Sequence, residues 1–176
     1  MLQLCLPRLN SLSDKQITDF YRDALGIKTN EKEIYFRAVT HKSYNNFKNN
    51  ERLEFLGDAV LDLIVSQQLF IKNKNANEGF LSIEKSKYVS RENLNKVAER
   101  ILNKNVIKHK SSYLSKNMLG NTLESIIGAI YIDKGMQTCE KFILKHILQF
   151  KTDRFFLKNV SQIINKFFYE KKTKVN

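Results

Sequence analysis

Apolar residues recur along this chain at three- and four-residue intervals, and strict apolar–polar alternation is almost absent, so helices are predicted and strands are not. Ile17, Phe20, Tyr21, Ala24 and Leu25 form one stripe, opened by Ser13 and Asp14 and closed by Gly26. A shorter helical stretch over 31–40 leads into Thr40-His41-Lys42-Ser43-Tyr44, and a long helix follows from about Glu51 to Asn73. The loop 74–79 introduces another helical region, and Ser90 reads as the cap of a helix with Leu94, Val97, Ala98 and Ile101 inside. After a polar span, a second strongly apolar helix runs from about Met118 to Asp133 and stops at Gly135. Cys139, Phe142, Ile143, Ile147 and Leu148 mark a further helix. Val160, Ile163, Ile164, Phe167 and Phe168 mark a last one, before the basic end at 171–174. With no repeat and no Gly/Ser linker, the expectation is a single all-α domain carrying a basic tail.

At 176 residues such a domain buries roughly two thirds of its unfolded surface. Thirty Lys and Arg against 18 Asp and Glu give a net charge of +12, which favours a polyanionic partner, nucleic acid or an anionic membrane. A compositional bias toward Lys, Asn and Ile produces the same surplus. Cys5 and Cys139 follow no metal or redox spacing and suit a reducing compartment. No apolar run reaches bilayer length, and the first residues lack a secretion signal, so a cytoplasmic protein without membrane contact is expected.

The long helix over 51–73 reads as a core helix, yet Glu51, Glu54, Asp58 and Asp62 recur in it at spacings of three, four and four. At about 100° per residue they share one narrow stripe. Neighbouring carboxylates on a buried helix repel and are costly to desolvate, so a positive group must offset them. A divalent cation does this economically. Ion pairs with Arg52 or nearby lysines are the structural alternative. The second apolar helix repeats the anomaly with Asn121 and Glu124, three residues apart. Gly57, Gly120 and Gly128 flank the two polar sets, and helical glycines usually have a packing reason. Close approach of the helices there would gather an all-oxygen set suited to Mg²⁺.

The run Asn50-Glu51-Arg52-Leu53-Glu54-Phe55-Leu56-Gly57-Asp58 resembles the signature of the ribonuclease III family. Thr40–Tyr44, Glu78–Ser82, Val89–Leu94 and Leu123–Asp133 resemble the family's other segments in their order and rough spacing, so the likeness covers about residues 10–150. It implies the helical endonuclease fold of that family, with residues 1–150 as catalytic domain. It also implies a Mg²⁺-dependent homodimer (Mn²⁺ substituting), without small-molecule cofactor, that cuts double-stranded RNA, including precursor ribosomal RNA and structured messages. By position, Asp58 and Glu124 fall on catalytic acids. Glu54, Asn121 and Glu124 fall on metal positions, Glu51 and Glu78 on accessory acids, and Phe55 on a dimer-interface aromatic. Asp62 has no counterpart and reads as a surface acid or ion-pair partner. His41, His109 and His146 pair with nothing and read as structural or surface residues.

Two departures stand out. Asn121 occupies a place where the family usually has a metal-binding aspartate, and an amide carbonyl ligates Mg²⁺ without contributing charge. The chain also has too few residues for the family's C-terminal RNA-binding domain. The stretch 151–176 is expected to be a basic helix or tail, a remnant of that domain or an amphipathic helix on the core. The rival readings are a weakened relative that grips duplex RNA or a ribosome without cutting, and a compact nuclease specialised for one ribosomal RNA.

Overall fold

The computed structural model of the chain describes residues 13–29 and 31–149. The predicted last helix, the basic end, Cys5 and the N-terminal segment lie outside them. The described residues form six α-helices: α1 (Asp14–Asp23), α2 (Lys32–Ala38), α3 (Glu51–Lys72), α4 (Glu78–Val89), α5 (Arg91–Ile101) and α6 (Lys116–Ile143). Among them no strand forms, and the extended pairing is a parallel bridge between Thr40 and Lys108. The all-α expectation holds.

The start signals work as local chemistry requires. Ser13 accepts from the Gln16 amide while the Gln16 side chain accepts from the Ser13 N–H at 2.8 Å, a reciprocal cap on α1. Asn77 caps α4 by accepting from the Phe80 amide at 2.9 Å, so this helix begins inside the predicted loop. Ser90 closes α4 and caps α5 at once, leaving a single residue between them.

Gly135 bends the last long element but does not end it. Its φ of +74° kinks α6, and the helix then continues because Cys139, Phe142 and Ile143 bury against the same core. The two helices expected on either side of Gly135 are therefore one bent helix, followed by a π-helical turn over Leu144–Leu148. From Met118 to Ile130, α6 is buried at every position but Asn121, and it packs on α2, α3 and α5. Leu53, Val60, Leu61, Ile64, Val65 and Leu69 supply the matching face of α3. Each such side chain contributes roughly 1.5–3 kcal/mol on burial. Polar ties fix the surrounding helices. The Ser125 hydroxyl reaches the Ala38 carbonyl at 2.6 Å, Tyr21 donates to the Tyr35 carbonyl at 3.0 Å, and Tyr35 donates to Asp133 at 3.0 Å.

The crossing of α3 and α6 is made of bare backbone. A Cβ on Gly57 would overlap the Glu124 carbonyl, and one on Gly128 would overlap the Leu53 carbonyl. Neither obstacle is a flexible side chain, so both positions need glycine. Gly120, expected to serve this same contact, instead faces α5, where a Cβ would meet Asn95 and Arg91. A second difference concerns α3 itself, which is not a wholly buried helix. Phe55, Leu63 and Phe70 project outward, 81%, 55% and 65% exposed.

Candidate functional site

The glycine crossing brings the polar stripe of α3 against that of α6. Glu51, Glu54 and Asp58 from α3 and Asn121 and Glu124 from α6 line one cleft of about 510 Å³, with His41, Lys42, Asn50, Phe55 and Arg91 completing its walls. The segment before α3 is held in place by main-chain bonds. The Asn50 N–H donates to the Thr40 carbonyl at 2.9 Å, and the His41 N–H donates to the Lys108 carbonyl at 2.9 Å.

The acids differ in depth. Glu51 and Asp58 are exposed, Glu54 is half-buried, and Glu124 is 4% exposed. The most desolvated carboxylate therefore stands on α6, and the acid stripe of α3 runs along the cleft rather than through the core. Burial pushes the Glu124 carboxyl up to about 7; Arg91 opposes this, while the charges of Asp58 and Glu54 add to it. Burial also raises Glu54, with Arg91 opposing and Glu51 adding, and a hydrogen bond from the Asn121 side chain holds it back.

Two cations of the chain meet these acids. Lys42 Nζ lies 2.8 Å from Glu51 Oε1. Arg91 Nη1 lies 3.3 Å from Glu124 Oε2 and also donates to Asn121 Oδ1. Arg52, considered as a neutralising partner, is exposed and is not among the residues lining the cleft. Arg91 lies within the Val89–Leu94 segment, outside the apolar periodicity. Its local signal is its place directly after the cap Ser90, at the start of a helix packed on α6.

Other residues singled out from the sequence fall as follows. Asp62 pairs with Lys85 at 2.9 Å, away from the cleft lining, which fits its reading as an ion-pair partner. Glu78 opens α4, is exposed, accepts from the Ser82 hydroxyl at 2.7 Å, and is not among the cleft-lining residues. Phe55 sits at the cleft rim with its ring in solvent, so it is not a core phenylalanine. His41 lines the cleft with Nδ1 2.9 Å from the Ser43 hydroxyl oxygen, and burial, Lys42 and His109 lower its pKa. Nothing in its spacing pointed there. His146 is buried, and that burial pushes it down to about 4.

Among the described residues, no three His, Cys, Asp or Glu side chains already converge as a coordination group. The donor set nevertheless has the chemistry a hard divalent cation requires. Four carboxylates, Glu51, Glu54, Asp58 and Glu124, share one cleft with the Asn121 amide, and Glu124 retains a raised proton affinity in the presence of Arg91. Among the described residues no helix is long and apolar enough to cross a membrane.

The chain is similar to known proteins over most of its length. The profile of a family described as ribonuclease-III-like matches residues 31–150. The chain is 43% identical over 140 residues to the Ribonuclease 3 of Leptospira interrogans, covering 72% of this chain and 56% of that one. It is 42% identical over 137 residues to the Ribonuclease 3 of Bacteroides thetaiotaomicron, covering 73% and 44%. It thus spans about half the length of the curated relatives it matches. A solved structure of the nuclease domain of a ribonuclease III from Campylobacter jejuni superposes with a TM-score of 0.71 at 33% identity, covering 74% of this chain and 96% of that one.

Proposed function

Because the chain belongs to the ribonuclease III family, we propose that it is an endoribonuclease that cuts double-stranded RNA with the help of a bound divalent cation. The observation carrying this reading is the shared cleft, in which Glu124 of α6 faces Glu54 and Asp58 of α3 closely enough for each charge to raise its proton affinity. Residues 1–150 are the catalytic domain, and 151–176 are a basic extension.

Glu54, Asn121 and Glu124 would hold the ion, Mg²⁺ with Mn²⁺ as substitute. Bound there, it supplies a lowered pKa for water and charge neutralisation at the scissile phosphate. Asp58 and Glu124, from opposite helices, orient the attacking water. Water adds to phosphorus, the bond to the ribose 3′ oxygen breaks, and the products carry a 5′ phosphate and a 3′ hydroxyl. Glu51, tied to Lys42 at the cleft mouth, acts as an accessory acid, and Glu78 contributes to RNA handling. Duplex RNA is read by its A-form shape, phosphates and 2′-hydroxyls, and the net charge of +12 supplies long-range attraction. The natural targets include precursor ribosomal RNA and structured messages in the cytoplasm. Phe55 and the outward apolar face of α3 pack against a second copy, which gives one cleft per protomer. The nuclease domain of the Campylobacter ribonuclease III has a region involved in dimer formation.

The test is incubation of the purified chain with long duplex RNA, with and without Mg²⁺, followed by analysis of product ends. Cleavage to 5′-phosphate ends only with Mg²⁺ is expected, and Glu124→Gln should abolish cutting while leaving RNA binding largely intact. Duplex binding without cleavage at any metal concentration would overturn the assignment.

A further inference from the structure

We propose that the Arg91 guanidinium is a resident counter-ion of the cleft that competes with the divalent cation for Asn121 and Glu124, so that the ion binds only as Arg91 is displaced. This rests on the metal-site reading above and concerns what sets the affinity of that site.

The geometry carries it. One nitrogen of Arg91, Nη1, meets both the Asn121 carbonyl oxygen and Glu124 Oε2. The Asn121 side chain in turn helps hold down the proton affinity of Glu54. The oxygen that Asn121 would offer a metal is already engaged, as is one oxygen of Glu124. Lys42 is committed to Glu51, so Arg91 carries the positive charge nearest the deepest acid. Arg91 also packs beside Gly120, where an added Cβ would lie 3.3 Å from Nη1 and 3.6 Å from Cδ, although Asn95 Oδ1 at 2.6 Å would be the nearer atom.

Sharing the site is unfavourable, because a guanidinium and a divalent ion on the same two oxygens repel in a medium less polarisable than water. Leaving it is easy, since 47% of the Arg91 side chain is already exposed. An aspartate at 121 would pair with Arg91 more firmly. The neutral asparagine holds the arginine by a hydrogen bond and so leaves it displaceable.

The experiment titrates Mn²⁺ into the metal-free full chain and into Arg91→Gln and Arg91→Lys, reading free Mn²⁺ by its paramagnetic resonance, with circular dichroism as the check of folding. Removing the competing charge should tighten Mn²⁺ binding at least roughly tenfold in Arg91→Gln. Arg91→Lys keeps the charge but loses the planar fork, and should tighten it about threefold. Equal or weaker binding by the variants, with wild type binding normally, overturns the role of Arg91 alone. Should Arg91→Gln not fold, the lysine variant decides by the same criterion. No Mn²⁺ binding by any of the three at millimolar concentration overturns the metal-site reading itself.

Discussion

Replacing Gly57 by alanine tests the backbone contact on which the cleft depends. In an unobstructed helix interior the change would stabilise by about 1 kcal/mol, because alanine loses less conformational freedom than glycine. Here the added methyl overlaps the Glu124 carbonyl and crowds the Gly128 amide, both main-chain atoms of the buried middle of α6. α3 and α6 must separate, and overpacking of this kind costs about 1–3 kcal/mol or more. Main chain on the far side cannot rotate away, so the upper end applies and the net loss is roughly 2 kcal/mol. For a domain of this size that lowers Tm by about 4–8 °C. Gly79→Ala is the control. It lies in the exposed first turn of α4, where the methyl meets only Asn77 Oδ1 at 3.7 Å, so stability should hold or rise. Urea and thermal unfolding followed by circular dichroism measure both. If Gly57→Ala proves as stable as wild type, the helices do not cross where described, and the cleft loses its basis.

The remaining expectations concern the acids and the outward face. In the raised folded state near 7, Glu124 binds more protons than in the unfolded chain, so its contribution is complete below about 4.5 and is lost as pH rises through 7. Without divalent cation, Tm should therefore carry a component that falls between pH 5 and 8 and vanishes in Glu124→Gln. His146, lowered to about 4, acts in the opposite sense, its contribution lost as pH falls through 4, so wild type and variant must be compared at each pH. Phe55→Glu should shift the chain to monomer in analytical ultracentrifugation; an unchanged mass would remove the ring from any self-association. Asp62→Asn breaks a half-buried pair with Lys85, so stability should move by about 1 kcal/mol at most and Mn²⁺ affinity should stay as in wild type. A large loss of Mn²⁺ binding would place Asp62 in the site.

What was legible in the sequence was whatever local chemistry decides. Ser13, Ser90 and Gly26 mark their helix ends because capping is settled within a few residues. The three-four spacing of Glu51, Glu54 and Asp58 puts them on one face whatever surrounds the helix. Gly57 and Gly128 were readable as a close approach, but the partner of Gly120 was not, since only the tertiary arrangement turns it toward Asn95 and Arg91. Arg91 is 33 residues from Glu124, and no periodicity links residues on separate helices. The continuation of α6 past Gly135 escaped for a related reason: a positive φ there normally terminates a helix, and burial of Cys139 and Phe142 overrides it. The apolar run of α3 likewise concealed that both of its phenylalanines face water, because hydrophobicity alone does not say which side of an apolar helix packs.

Where side chains fill the space between two helices, their spacing drifts with every change of volume, one methylene at a time. Gly57 and Gly128 remove that freedom. At that crossing main chain meets main chain, so the spacing of the two helices has no side chain through which to adjust. Side chains around it, Asn121 among them, can change while the gap between the helices keeps its width.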